Sequence, residues 1–413
     1  MKDFIDTFKK KSLMVYCHIM KILFYRYGSI CEPDMIETFR HLGLEVTEEC
    51  TQISKKNTTG SDTVEALSKL FKKDSYLFVF SVNFFPAVSE ICKLYNIVYV
   101  SWTVDSPVIE LFSPSLANSC NRTFYFDRAQ YERFSPANPE GSFHLPLATN
   151  PVRWQKAVSA ASPDIRRRFT SDISFVGSLY KEKDPYLLIK DIPPYASGYI
   201  NGLKNAQTLL FGVNIIEPSL NDKVMSLFEP LVPDLHTPYC ENSDSVKRYI
   251  FANSFIGSDL AWHERLLYLN SLAKYFDVDL YTGSDTSELN GVHIHSTVKT
   301  LTEMPLVFNL SRINLNITTR SIQTGLSLRN FDICGCGGFL MTNYQEELPE
   351  LYEPGTEAEY FSSEDELVDK CAYYLEHEDE RAAIAQRGYE RTVSSHSYEI
   401  RIAEMIRLIN STI

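Results

Sequence analysis

"LRNFDICGCGGFLMTN", residues 328–343, decides how the second half of this chain is read. Arg329 and Asp332 stand three apart and share one face of a helix. The small residues from Cys334 to Gly338 let that helix pack closely and turn. Phe339-Leu340-Met341 is then a short apolar run with the character of a buried strand. Upstream, "RINLNITT" (312–319) is another such strand, and "RSIQTG" (320–325) leads from it into a helix that the pattern starts near Gly325. A helix start aims free N–H groups outward, and its dipole favours negative charge. Gly325 lets a ligand approach the backbone, and Arg329 can add a charge-assisted contact to phosphate. Asp332 can accept hydrogen bonds from both hydroxyls of a ribose. Phosphate at the helix start and ribose on the aspartate describe a nucleotide diphosphate site. The plain alternative is an Arg–Asp pair on an ordinary sheet-covering helix.

The rest of the chain has to be compatible with such a site. Its 413 residues exceed one ordinary core and suggest two or three domains. With 44% hydrophobic, 13% aromatic and 23% charged residues, the composition is that of a soluble globular protein. A net charge of −13 repels nucleic acid and anionic membrane, so an anionic ligand needs a locally prepared site. The nine cysteines are scattered without a disulfide or zinc-ribbon pattern, which reads as a reduced, cytoplasmic protein. No apolar run is long enough for a membrane span. "KKKSLMVYCHIM" (9–20) faintly resembles a signal peptide, but His18 and Lys21 interrupt it; it reads as a short N-terminal helix.

Strand and helix patterns alternate along the first part. "KILFYRYGS" (21–29), "LEVTEE" (44–49), "SYLFVFSV" (75–82), "NIVYVSWTV" (96–104) and "RTFYFD" (122–127) are extended segments. Helical patterns such as "PDMIETFRHLG" (33–43) and "FPAVSEICKLY" (85–95) separate them. Apolar strands alternating with helices mean a parallel α/β sheet. "HLPLATNPVRW" (144–154) reads as a connector, after which "DISFVGSLY" (172–180) opens a new unit. Residues 185–250 are helical, with little strand signal, and read as an insertion. Alternation resumes with "FDVDLYTG" (276–283), "VHIHSTV" (292–298), "RINLNITT" and "GGFLMTN" (337–343), and the tail is helical. The expected organisation is an N-terminal Rossmann-like domain over 1–150 and a second over 151–390, with a helical insertion at about 185–250. A C-terminal helix over 391–413 crosses back to the first domain. Ligands of such sheets bind outside the carboxyl ends of the strands, so the expected site is the cleft between the domains.

Several residues fall at those strand ends. In "SWTVDSP" (101–107), Trp102 could stack on a sugar face and Asp105 could deprotonate an acceptor hydroxyl. Asp105 could equally cap a helix begun by Ser106-Pro107. Gly28 and Asn83 are close-approach or turn residues on the acceptor side. "DVD" (277–279) enters its strand rather than leaving it, so its side chains should not converge on a metal ion. "HIH" (293–295) puts both imidazoles on one strand face but lacks nearby partners.

The stretch from Arg320 to Asn343 resembles the C-terminal signature of GT-B glycosyltransferases of the group 1 type, and Ser311 to Gly355 resembles the C-terminal half of its spore-maturation CgeB-like branch. "NFFPAVSEICKLYNIVYVSWTVDSP", "FDRAQYERF" and "LPLATNP" resemble the N-terminal half of the spore-maturation CgeB-like branch. The resemblance implies a GT-B fold that binds a nucleotide diphosphate sugar, UDP-linked above all, mainly through its second domain. Asp332 takes the place of the group's ribose-binding glutamate. Thr324 stands where the group has a second glutamate, so a charged contact to the donor sugar is missing or moved. "FVGSLYKEK" (175–183) resembles a phosphate-binding strand end in which Lys183 matches the lysine and Ser178 replaces an arginine, which leaves Arg329 or Arg320 as candidates to compensate. His295 falls near the place of the nucleotide base. The implied activity is metal-independent, cofactor-free transfer of a sugar to an acceptor hydroxyl on a bacterial surface glycan or protein. Two rivals share the shell: a non-catalytic nucleotide- or sugar-binding protein, and a nucleotide-sugar epimerase.

Overall fold

A computed structural model describes residues 20–55, 58–232, 235, 237–240 and 243–411. Residues 9–19 of the segment read as an N-terminal helix lie outside these. Among the described residues twelve strands form two six-stranded sheets, every adjacent pair parallel. The first contains β1 (Lys21–Tyr25), β2 (Glu45–Glu49), β3 (Phe78–Val82), β4 (Val98–Trp102), β5 (Asn121–Tyr125) and β6 (Ser142–His144). The second contains β7 (Ser171–Val176), β8 (Val278–Tyr281), β9 (His293–His295), β10 (Ser311–Asn316), β11 (Leu340–Asn343) and β12 (Glu359–Phe361). Central strands such as β3, "FVFSV", are buried throughout, because helices cover both faces of the sheet. β6 and β12 escape the sequence reading. Each has three residues and an edge position, so neither carries an apolar run.

Strand order fixes where a ligand can sit. The first sheet runs β2-β1-β3-β4-β5-β6 and reverses direction between β1 and β3. The second runs β12-β11-β10-β7-β8-β9 and reverses between β7 and β10. At such a reversal the connections leave to opposite faces of the sheet, opening a crevice at the strand ends.

The insertion packs the helices Pro194–Thr208, Asp222–Phe228 and Asp244–Ile250 around an apolar cluster of its own. The last of these runs without a break through a π-helical turn, Phe251–Ile256, into the long helix Gly257–Leu272. At the other end, the helix Tyr398–Asn410 packs on Glu32–His41 of the first half. Thr149 in the connector pins it there, donating its N–H to His396 O and accepting from Tyr398 N–H, each at 3.0 Å. One apolar cluster joins Ile22 and Trp102 of the first sheet to Trp154, Phe331, Ile333 and Tyr398. The two halves therefore share a core.

Candidate functional site

Three side chains meet at the strand ends of the first sheet. Tyr27 follows β1, Asn83 follows β3 and Asp105 follows β4. Asn83 has a left-handed backbone, φ 57°, which asparagine tolerates better than most residues. Its Oδ1 accepts from Val104 N–H at 2.9 Å, while its Nδ2 donates to Asp105 Oδ2 at 2.7 Å and to Tyr27 Oη at 3.0 Å. Tyr27 Oη lies 3.4 Å from the same carboxylate oxygen. Burial first, then the charge of Asp105, pushes the Tyr27 phenol up, so it stays a donor. Asp105 is thus exposed but held in place. It caps no helix: the next helical turn begins only at Ile109, with Val108 at its N-cap. That removes the capping alternative.

Trp102 does not serve a sugar. Its ring is fully buried, its Nε1–H donates to Leu145 O at 3.1 Å, and Tyr398 packs edge-on against it. Strand alternation turns it inward. Gly28 lies in a turn with φ +98°, and a Cβ there would meet nothing closer than 3.9 Å. Conformation and not crowding calls for glycine at this position. The N–H groups of Tyr27 and Gly28 both point at Glu32 Oε1, at 2.9 and 3.1 Å, so the chain's own carboxylate fills that cradle.

The reversal point of the second sheet opens on a cavity of about 260 Å³ between the two halves. Tyr180 and Lys183 line it from beyond β7, and Thr319 and Ser321 from beyond β10. Asn253 and Ser254 of the π turn line it from the insertion side, and Ser106 and Pro107 from the first half. A π turn displaces side chains from the regular helical spacing and is common at functional sites. Ser106 Oγ donates to Ser321 O at 2.6 Å across the seam, one residue from Asp105. Lys183 is exposed at the rim with its ammonium 5.1 Å over the Tyr180 ring, and it has no ion pair among the described residues.

Sequence reasoning missed Arg265. This arginine is 8% exposed and rises from the long helix to the ends of β7 and β10, donating to Ser178 O and, at 2.9 Å, to Ile317 O. Its guanidinium lies 4.4 Å over the Tyr180 ring, and its Nε is buried without a partner. It brings a cation to the strand end where Ser178 replaced the expected arginine. The one signal available was that missing cation; "WHERLLYLN" otherwise reads as ordinary helix. Arg320 does not compensate, because its charge is consumed by a buried pair with Glu264 at 2.7–2.9 Å.

The opening stretch is placed differently from its reading. Its helix spans Leu328–Gly335 with Ser327 at the N-cap, three residues later than expected. Arg329 is half-buried and lies over the Phe308 ring, its Nη1 against Met304 Sδ. Asp332 is enclosed: Oδ1 accepts from Thr149 Oγ1 at 2.6 Å, and Oδ2 lies 3.4 Å from Arg329 Nη1. Burial pushes its carboxyl up to about 6, against the opposing pull of Arg329 and Thr149. In this arrangement the Asp332 carboxylate is closed off from solvent. The reason is the connector, whose Thr149 fills the space beside the helix and is itself held by Trp154 Nε1–H at 2.7 Å. Gly325 does admit a close neighbour, but the neighbour is protein: a Cβ there would fall 2.9 Å from Asp127 Cα and from Phe126 O. Thr324 is likewise occupied, its Oγ1 2.7 Å from both Asp127 Oδ1 and Glu347 Oε1.

His295 lies on edge strand β9, stacked on Tyr281 at 4.6 Å. Pairing of β8 with β9 brings Asp279 of "DVD" to His295 Nε2 at 2.6 Å and to His293 at 4.0 Å. The two motifs therefore do have partners, namely each other, which local sequence could not show. Among the described residues no group of three or more His, Cys, Asp or Glu side chains is set to hold a metal ion.

Comparison with known proteins agrees with this architecture. Residues 255–407 match a family model described as glycosyl transferase-like. No curated protein sequence matches the chain. A glycosyltransferase from Rickettsia africae ESF-5 superposes with a TM-score of 0.55 at 9% identity, over 96% of this chain and 99% of that one. Anabaena Alr3699/HepE in complex with UDP-glucose gives 0.52 at 11% identity, over 95% and 100%. Sucrose-phosphate synthase from Thermosynechococcus elongatus gives 0.52 at 10%, over 95% and 98%. At such identities the structures establish the fold: two Rossmann-like domains facing a cleft, the GT-B arrangement.

Proposed function

We propose that this protein is a GT-B glycosyltransferase that moves a sugar, a hexose in our reading, from a UDP-sugar to an acceptor hydroxyl. The observation that carries the reading is the cavity at the β7/β10 reversal point. Lys183 stands at its rim over the Tyr180 ring, with no ion pair among the described residues, and Arg265 lies behind Tyr180, with Asp105 across the seam beside Ser106. The two cations would stabilise the departing diphosphate, with neither metal nor cofactor required. Asp105, oriented by Asn83 and Tyr27, would take the acceptor proton. The UDP-glucose complex of a protein sharing the fold supports a nucleotide-sugar donor. The resemblance to the CgeB-like branch favours a bacterial surface glycan or protein as acceptor, glycosylated in the cytoplasm. No helix among the described residues is long and apolar enough to cross a membrane.

The test is a UDP-sugar panel, read by thermal shift and by UDP release with and without EDTA. A bound donor raises the melting temperature by mass action. Lys183→Ala should weaken UDP binding about tenfold, the loss of one exposed charge-assisted contact. Asp105→Asn should keep UDP affinity and lower transfer at least about a hundredfold. A panel that neither shifts melting nor turns over would overturn the proposal. Donor conversion without any acceptor would favour the epimerase reading, and activity lost to EDTA and restored by a divalent ion would overturn the metal-free mechanism.

A further inference from the structure

The loop from Thr318 to Ser327 does two things at once. Thr319 and Ser321 form a wall of the cavity, and two residues further on the same loop is gripped by the opposite half of the molecule. The grip is Asp127, which follows β5. Its Oδ2 accepts from Gln323 N–H at 2.9 Å, and its Oδ1 from Thr324 N–H at 3.2 Å and Thr324 Oγ1 at 2.7 Å. Glu347, beyond β11, reaches back the other way. It accepts from Arg128 N–H at 2.8 Å, lies 2.7 Å from Thr324 Oγ1, whose one proton the two carboxylates must share, and lies 2.9 Å from His144 at the end of β6. Both carboxylates are about 1% exposed. At Gly325 the backbones themselves touch, with no room for a Cβ.

These contacts are specific to a closed seam. Asp127 uses two backbone N–H groups that would otherwise point into the cleft, as a bound anion would. Burying a carboxylate is costly unless its donors are well placed; Ala129 N–H, from Asp127's own half, supplies one at 3.1 Å, and Gln323 and Thr324 of the facing half supply the others. Burial accordingly pushes the Asp127 carboxyl up, against the opposing hydrogen bonds from Thr324 and Gln323. For Glu347 burial acts in the same sense but is outweighed by His144, which leaves that carboxyl lowered. Thr324, where the resembling group has a glutamate, is the hub. The carboxylates near this position come from Asp127 and Glu347 and are spent on holding the domains.

We propose that Asp127 is a positioning residue: through Gln323, Thr324 and Gly325 it latches the first half onto the second and sets the cavity wall formed by Thr319 and Ser321. The inference rests on the transferase reading only for its consequence on rate; the latch itself can be read without substrate.

The experiment compares the full chain with Asp127→Ala and Gly325→Ala. The second variant drives a methyl group between the backbones and leaves every carboxylate in place, so it covers the case in which the first does not fold. Amide exchange at Gln323 and Thr324 should accelerate at least about tenfold in both, since opening the seam exposes both N–H groups. Small-angle scattering should show a larger radius of gyration. Transfer kcat should fall about tenfold or more while UDP affinity stays within about threefold, the split expected when a residue assembles the site without touching the donor. Unchanged exchange and scattering would overturn the latch. Faster exchange at an unchanged radius would reduce it to a local loop contact and overturn closure. An open variant with normal kcat would overturn the positioning role. Wild-type chain inactive on every donor would sink the transferase reading, while exchange and scattering would still decide the latch.

Discussion

Asp332 is 4% exposed, and its surroundings offer it one hydroxyl, from Thr149, and one guanidinium edge at the long distance of 3.4 Å. Two weak partners do not replace water around a carboxylate, so its charged form is disfavoured and the group rises from 3.8 to about 6. The folded value lies above the unfolded one. Its contribution to stability is therefore complete below about pH 4 and lost as pH rises through 6. A shift of about two units corresponds to roughly 3 kcal/mol. Asp332→Asn keeps an acceptor for Thr149 and has nothing to titrate. Its unfolding free energy relative to wild type should therefore rise by up to about 3 kcal/mol between pH 4 and pH 7. Urea denaturation at the two pH values measures this. A constant difference would mean that Asp332 is solvated after all, and would restore it as a candidate for ribose. His396 moves the other way: burial lowers it to about 4, and its neutral ring bridges Leu351 O and Arg401. The comparison must therefore be made between variants and not on the wild-type curve alone.

At the scale of elements, the insertion is fastened to the second domain by charge as well as by its apolar cluster. Lys204, on the helix Pro194–Thr208, donates to Asp259 Oδ2 at 2.5 Å and lies 5.1 Å over the Tyr186 ring. Asp259 belongs to the long helix and is buried beside Asp184, the residue after Lys183. Asp184 uses one oxygen to accept from Tyr186 N–H; the other is buried with no donor facing it. Burial, with Asp259 adding repulsion, pushes Asp184 up to about 7. A single lysine thus offsets two buried carboxyls. Lys204→Met keeps the packing over Tyr186 but leaves the acids unbalanced, which should cost about 3–5 kcal/mol. Adding Asp259→Asn should recover most of that. Denaturant melts of both variants give the numbers, and a Lys204→Met chain as stable as wild type would show that the pair carries no net charge to offset.

At the scale of the molecule, the GT-B arrangement would permit two independent units, but here the core is continuous. Trp102, Trp154, Phe331 and Tyr398 belong to one apolar cluster, and the connector residue Thr149 bonds both the last helix and the helix of Asp332. Interfaces between domains are ordinarily small and polar, which lets each domain unfold alone. A shared core instead predicts that the two sheets melt together. Calorimetry should give one main transition in which probes in β3 and β10 respond at the same temperature. Two separated transitions would show that the seam contributes little.

Much of this was legible along the chain. β3, "FVFSV", is an almost unbroken apolar run, β11 opens on Leu340-Met341, and β10 carries Ile313 and Leu315 between polar residues; helical patterns alternate between them, and this patterning points to parallel sheets covered on both faces. Asp105 could be singled out because its place at the end of β4 is a local fact. The short edge strands β6 and β12, the burial of Trp102 and Asp332, and the meeting of Asp279 with His295 could not be read, since each depends on a partner distant in sequence. Arg265 carries no motif, and Asp127 reads locally only as the cap of the helix that follows it; what marks them is convergence, Arg265 on the ends of β7 and β10 and Asp127 on a loop of the other half. Periodicity records which face of an element is buried. Which side chain then fills a given anion cradle, a ligand's or the protein's own, is decided only when two domains close on each other.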